Sequence, residues 1–205
     1  LVTDEAQLQA WIETGLTRGA LRNDGIILSN TAAAATAAAA AAAAASATAA
    51  GTLPDAAPGI DEINDLALGL CGSATRFAET TAMGAAFIES AIPWLSEGAL
   101  PLPSPLSYPV AVGAVTGAAF PELPVRSTLT AYFQAAISQQ VQSALRLIPL
   151  GQRAGVRLQH RFEPLIATCA EQASRSTLDA LGSSSLTMDI VAMQHSTLTS
   201  RIFRS

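Results

Sequence analysis

Lysine is missing from this chain of 205 residues. Its 11 basic residues are all arginines, and 16 acidic residues outnumber them, which gives a formal net charge of −5. General nucleic-acid binding is disfavoured, because the chain has no excess of positive charge to displace the counterions of a phosphate backbone. Arginine suits flat, bidentate contacts with carboxylates, so we expect these side chains to serve contacts with proteins.

Cysteine and histidine are also scarce, with two residues of each. Cys71 and Cys169 are far apart and form no C-x-x-C pair, which predicts two buried apolar thiols in a reducing compartment. His160 and His195 are distant from both cysteines, so we expect no preformed zinc or nickel site. The chain starts without a signal peptide, and we expect a cytoplasmic location.

Aromatic residues make up only 5% of the chain, whereas half of it is apolar and dominated by alanine and leucine. This composition favours closely packed helices over a β-sandwich, and the length suits one well-buried domain. The sequence contains no G-x-x-x-x-G-K-[ST] loop, so GTP binding by this chain is not expected.

The first half of the chain predicts helices separated by proline and glycine. Thr3 or Asp4 is placed to cap a helix that starts at Glu5, and a second helix follows. The alanine-rich stretch at 31–50 predicts either a helix, which we favour, or a linker that continues to residue 60. A membrane span is not expected there, because the stretch lacks leucine, isoleucine, valine and phenylalanine.

Further along, Asp61 is predicted to cap a long helix that Pro93 ends, and 101–109 is predicted to be a surface connection. Gly113 and Gly117 lie four residues apart in the apolar segment 108–120. That segment is too short to span a membrane, so the pair predicts a close backbone approach inside a helical core.

Residues 127–158 carry the strongest helical pattern. Ser127 is placed as an N-cap. Pro149 should end this helix, and Gly151 should permit a sharp change of direction before a second helix. The apolar stripe recurs every four residues and consists of Leu129, Phe133, Ile137, Val141 and Leu145.

The second helix, 152–174, carries Arg153, Arg157 and Arg161 at four-residue spacing, with Arg146 just before it. Two interpretations remain open, a solvated helical face and a docking surface for an acidic partner. Pro164 is expected to kink this helix or to begin a new one.

The C-terminal segment contains a short amphipathic piece at 186–193 and, near its end, two large apolar residues flanked by two arginines. Such a tail is either disordered or becomes ordered on a partner, with apolar anchors and arginines pairing at the rim. These four residues are Arg201, Ile202, Phe203 and Arg204.

Three segments of this sequence resemble the UreF family of urease accessory proteins. They are ALRLIPLGQRAG at 144–155, LGSSSLTMDIVAMQHSTLTSRIFRS at 181–205 and, less specifically, TDEAQLQAWIETGLTRGALRNDGIIL at 3–28. With YPVAVGAVTG and SATRFAETTAMGAAF between them, the likeness covers nearly all of the chain outside 31–60. Ser196 follows the tail histidine where the family usually has Glu, which argues against a chemical role for His195.

The resemblance implies an all-α, single-domain helical bundle that forms a homodimer and is not an enzyme. It implies an adaptor that joins a UreD/UreH-type accessory protein to a UreG-type GTPase and modulates that GTPase during nickel delivery to apo-urease. Nickel would pass through the complex, and no cofactor would be bound stably.

Carried onto this sequence, the resemblance assigns two sets of partner-binding residues. The GTPase-docking set is Arg146, Pro149, Gly151 and Gln152. The set for the UreD/UreH-type protein lies in the tail at 193–205 and comprises His195, Arg201, Ile202, Phe203 and Arg204. Two alternatives remain: an orphan helical scaffold with other partners, and a helical enzyme that uses His195 with Asp189 as an acid–base pair.

Overall fold

The structure, a computed structural model, describes residues 2–47, 59–95 and 102–195. All regular secondary structure within these residues is helical, so the predicted all-α class is confirmed. Short 3₁₀ turns occupy Ile92–Trp94 and Leu178–Ala180. The α-helices are α1 Glu5–Arg18, α2 Ala20–Ala47, α3 Ile60–Gly69, α4 Ala74–Ala91, α5 Tyr108–Ala119, α6 Val125–Leu147, α7 Gln152–Ser174 and α8 Leu186–His195.

The N-terminal helices form as predicted. Asp4 caps α1, where its Oδ1 accepts a hydrogen bond of 2.8 Å from the Gln7 amide. The chain breaks at Gly19 and continues in α2, which runs through the alanine-rich stretch to Ala47. The favoured helical interpretation of that stretch is therefore confirmed up to residue 47, and residues 48–58 lie outside the described part of the chain.

The long helix predicted after Asp61 is two helices. Gly59 occupies the N-cap position of α3 and Asp61 lies in its first turn, so the prediction that Asp61 is the cap was wrong. The chain is interrupted between Gly69 and Ala74, where Ser73 caps α4 by accepting from the Arg76 amide at 3.2 Å. Pro93 lies in the 3₁₀ turn that follows α4, as the sequence predicted.

Helix α6 buries the predicted apolar stripe but starts earlier than predicted. It begins at Val125, directly after Pro124, so Ser127 lies in its first turn and is not the cap. Leu145 is half-buried, and α6 ends at Leu147, two residues before Pro149. The other four stripe residues are fully buried: Leu129, Phe133, Ile137 and Val141.

The helices fall into two compact units, and the predicted single domain remains a prediction. The first unit comprises residues 1–26 and 126–186. Its core includes Ile12 of α1, Ile26 of α2 and Leu158 of α7, all nearly inaccessible to solvent. Gly25 allows α2 to approach α6 closely, because a Cβ there would overlap the Phe133 ring.

The second unit comprises residues 27–125 and 187–205, and α5 lies in its core. A Cβ on Gly113 would lie 2.6 Å from the Leu28 carbonyl oxygen, and one on Gly117 would overlap the Ala32 carbonyl. The predicted close backbone approach at these two glycines is thus confirmed.

The connection before α5 is more buried than the sequence predicted. Leu106 and Ser107 are 7% and 1% exposed, so the predicted surface connection is wrong at these residues. Asn64 holds this stretch: its Nδ2 donates to the Pro105 carbonyl at 2.9 Å, and its Oδ1 accepts from the Ser107 amide at 2.9 Å.

One stretch, Glu5–Ala44, contains an 18-residue window that is long and apolar enough to cross a membrane, with a mean hydropathy of 1.5. The core helices of soluble proteins meet the same criterion, and 39% of this apolar window is buried within the protein. The expectation that the chain has no membrane partner remains a prediction.

Candidate partner-binding surfaces

The turn between α6 and α7 carries the four residues predicted to dock a GTPase. Arg146 lies in the last turn of α6, Pro149 in the connection, Gly151 at the N-cap of α7 and Gln152 at its first position. The connection is tight, since the Leu150 amide donates to the Ile148 carbonyl at 2.7 Å. All four predicted residues are exposed, so the structure presents them on one accessible turn.

The change of direction at Gly151 does not require the conformational freedom of glycine that the sequence predicted. Its φ of −78° and ψ of 156° are open to any residue, and a Cβ there would meet nothing within 4 Å. The close approach of the two helices is instead at Gly155, where a Cβ would lie 2.8 Å from Leu145 Cδ1. The second glycine of this segment therefore has the packing role.

We define the turn surface as the exposed side chains of Arg146, Leu147, Gln152, Arg153 and Val156. Leu147 is 56% exposed and Val156 is 68% exposed. Within the described residues, no ion pair joins Arg146 or Arg153 to a carboxylate. The turn surface thus combines exposed aliphatic side chains with two guanidinium groups available for an external carboxylate.

The other two arginines of the basic row contact α1. Arg157 Nη2 lies 3.0 Å from Glu5 Oε2, and Arg161 Nη1 donates to Gln9 Oε1 at 2.7 Å. These contacts join α1 to α7, but both arginines are more than half exposed, so the docking interpretation of the row stays a prediction. Helix α7 continues through Pro164, so the alternative that a new helix begins there was wrong.

The predicted short amphipathic piece at 186–193 lies within the helix α8. Helix α8 exposes several large apolar side chains and ends at His195. The side chain of His195 and the predicted anchors among residues 196–205, namely Arg201, Ile202, Phe203 and Arg204, lie outside the described residues. The exposed apolar residues of α8 are Leu186, Ile190, Val191 and Met193.

A cleft of about 410 Å³ opens in the first unit, with Phe133 and Cys169 among its lining residues. Burial raises the pKa of the Cys169 thiol, which disfavours its reactive thiolate form. Two arginines also line the cleft, but Arg22 donates to the Ala180 carbonyl and Arg175 pairs with Glu171. Cys71 is half-buried, so the prediction of two buried thiols holds for Cys169 only.

The described residues show no group of three His, Cys, Asp or Glu side chains placed to hold a metal ion. Asp189 and His195 of the alternative acid–base pair both belong to α8, six positions apart, a spacing that does not place them on one helical face. The side chains of Asp189 and His195 lie outside the described part of the chain, so the structure gives no contact for either one.

Sequence reasoning missed a set of polar contacts made by residues 178–185. Arg18, Arg22 and Asn23, near the break between α1 and α2, bond to this segment across more than 150 positions of sequence. The one local signal was Gly182 directly before a run of three serines, because a glycine beside such a run often marks a backbone conformation that other residues avoid.

Comparison with known proteins agrees with the helical pattern and the motifs. The UreF family model matches residues 2–163. A urease accessory protein UreF from Methylobacterium sp. (strain 4-46) is 39% identical over 209 aligned positions, covering 100% of this chain and 76% of the relative.

Two further relatives with the same name extend this agreement. The protein from Allorhizobium ampelinum is 37% identical, with 97% of this chain and 77% of the relative covered. The protein from Methylobacterium radiotolerans is 40% identical, with 100% and 83% covered. The family model matches most of this chain, and the relatives are 37% to 40% identical to it over 97% to 100% of its length. This chain therefore belongs to the UreF family of urease accessory proteins.

Proposed function

We propose that this protein is an adaptor in urease maturation. It joins a UreD/UreH-type accessory protein to a UreG-type GTPase and modulates that GTPase while nickel is delivered to apo-urease. Nickel is cargo in this proposal, and the chain itself holds no stable cofactor and catalyses no reaction. The observation that carries the proposal is the exposed turn surface, most of which lies within a segment, 144–155, that resembles the family.

The turn surface suits a protein partner by its chemistry. Arg146 and Arg153 are exposed and positively charged, so they would attract an acidic surface and set its orientation. Leu147 and Val156 supply apolar area beside these charges. Because the Pro149 turn is short and α7 packs closely on α6 at Gly155, this surface is preorganised for binding.

The tail is the proposed contact with the UreD/UreH-type protein. Ile202 and Phe203 would act as apolar anchors, with Arg201 and Arg204 pairing at the rim and His195 at the start of the contact. The exposed apolar side chains of α8 support this assignment, because they extend the apolar area immediately before the anchors.

A homodimer in the cytoplasm completes the proposal. The resemblance to the family supports dimerisation. The scarcity of cysteine supports a reducing compartment, since each of the two units holds one cysteine. Sedimentation of the purified chain at several concentrations tests the dimer, and a monomer at every concentration would contradict it.

Reversing the charge of Arg146 tests the GTPase-docking assignment. We expect Arg146→Glu to weaken the affinity for the UreG-type GTPase at least about ten-fold at low salt, because an attraction becomes a repulsion. Arg18→Glu is the matched control, since it makes the same charge change at another exposed arginine at a helix end. Equal affinity of Arg146→Glu and the unchanged protein, measured by calorimetry at low salt, would refute the assignment.

Deletion of residues 196–205 tests the tail. We expect the shortened chain to keep its helical circular dichroism and to lose binding to the UreD/UreH-type protein. Alanine replacement of Ile202 and Phe203 together, in the full chain, should have the same effect. A shortened chain that binds this partner with normal affinity would remove the tail from the proposal.

A further inference from the structure

Residues 177–185, which we name the strap, connect α7 to α8 and are held to the break between α1 and α2. Arg22 Nη1 donates to the Ala180 carbonyl at 2.8 Å, and Asn23 Oδ1 accepts from the Gly182 amide at 3.1 Å. The third contact is between backbones, since the Ser184 amide donates to the Arg18 carbonyl at 3.0 Å. Ala180, Gly182 and Ser184 of the strap are thus each hydrogen-bonded to the six-residue stretch 18–23.

Polar contacts, more than apolar burial, hold the strap. Of its residues only Ser185 is buried, whereas Asn23 on the other side is 5% exposed. Ser185 lies against Gly19, where a Cβ would be 3.1 Å from its Oγ. Gly182 has a φ of 157°, a conformation that L-residues rarely adopt, so the path of the strap depends on this glycine.

The strap leads directly into α8, whose last residues overlap the proposed partner-binding tail at 193–205. Ser185 is the last residue of the strap, and α8 starts at Leu186. A held strap keeps its own nine residues out of any ordering that partner binding requires. A loose strap would add nine residues to that ordering, and fixing the backbone of even one residue costs about a ten-fold change in a binding constant.

We propose that Arg22 and Asn23 are positioning residues for binding of the UreD/UreH-type partner, acting by holding the strap in the bound-state path before the partner arrives. This inference rests on the proposed function of the tail. Neither residue needs to touch the partner. Their effect passes through the Ala180 carbonyl and the Gly182 amide, and it changes the cost of ordering the tail.

Two variants loosen the strap by different routes. Asn23→Ala removes the acceptor of the Gly182 amide, and Gly182→Ala disfavours the backbone conformation at the centre of the strap. Gly72→Ala is the matched control, because it makes the same substitution at a glycine with no positive φ and with open space around its Cβ. The two test variants alter different residues, so a folding defect in one leaves the other informative.

The experiment measures amide hydrogen exchange of the free full-length chain and the dissociation constant for the UreD/UreH-type partner. We expect both test variants to exchange faster in 177–185, to keep the protection of α6 and α7, and to bind the partner at least about ten-fold more weakly. Gly72→Ala should match the unchanged protein in both measurements.

Two outcomes overturn the proposal. In one, the strap exchanges faster but the dissociation constant changes by less than about two-fold, so the strap does not position the tail. In the other, neither variant changes exchange in 177–185, so these contacts do not hold the strap. Failure of the proposed function itself is recognised separately, because deletion of 196–205 would then leave binding unchanged.

Discussion

At the residue scale, individual glycines have different roles, and their spacing in the sequence predicts these roles only in part. Gly113 and Gly117 were predicted to permit close packing from their four-residue spacing among small residues, and a Cβ at either one would meet a backbone carbonyl. Gly151 was predicted to matter for its conformation, but its backbone angles are ordinary. The sequence shows where a glycine lies, whereas only the packing shows whether a side chain would fit.

Gly117→Ala should destabilise the protein. The added methyl would overlap the Ala32 carbonyl, a backbone group that cannot rotate away. We expect a loss of about 2 kcal/mol in the free energy of unfolding, since overpacking outweighs the gain in helix propensity. Urea titration measures this loss. Gly69→Ala, at a site with open space, is the control. Equal urea midpoints for the two variants would show that α5 and α2 can move apart without a loss in the free energy of unfolding.

Gly151→Ser should stabilise the protein slightly. Gly151 is the N-cap of α7 and makes no side-chain cap bond, and its extended backbone suits a serine whose hydroxyl would accept from an amide of the first turn. We expect a gain of about 0.3 kcal/mol in the free energy of unfolding. A clear loss of stability in urea titration would show that the turn requires glycine, as its sequence suggested.

At the scale of elements, the arginines in the row on α7 differ in whether they contact another helix. The four-residue spacing placed Arg153, Arg157 and Arg161 on one face, but spacing gives no information about which part of that face meets another helix. In the structure Arg157 and Arg161 contact α1, whereas Arg153 stays at the open end near the turn. Two arginines of the row therefore contact the neighbouring helix α1.

A double-mutant cycle of Arg157→Ala and Glu5→Ala tests the contact between α7 and α1. We expect a coupling energy of about 0.5 kcal/mol, because Arg157 is more than half exposed and water screens the pair. The coupling should shrink in 1 M salt. A coupling of zero, together with weaker GTPase binding by Arg157→Ala, would instead assign this arginine to the docking surface.

Element boundaries were predicted well where proline or a long apolar stripe fixes them, and less well elsewhere. Pro149 ends α6, and the stripe from Leu129 to Val141 is buried as predicted. Ser127 and Asp61 are good capping residues by type, but both lie in the first turn of helices that start earlier. A residue's capping propensity competes with the packing that decides where a helix begins.

At the scale of the whole molecule, the sequence predicted the helical class and the exposed turn, but not the contacts between distant segments. The bonds from Arg22 and Asn23 to the strap join residues more than 150 positions apart, and no local pattern encodes such a pairing. The same holds for Asn64, which fixes the chain before α5 through two backbone groups. These polar contacts depend on tertiary structure, which periodicity does not specify.

We propose that one chain binds two partners through separate surfaces. Native mass spectrometry of this protein mixed with the UreD/UreH-type protein and the UreG-type GTPase tests it most directly. We predict a complex that contains all three chains, loss of only the GTPase with Arg146→Glu, and loss of the UreD/UreH-type protein on deletion of 196–205. Mutually exclusive binding of the two partners, or a full three-chain complex with both variants, would contradict the account.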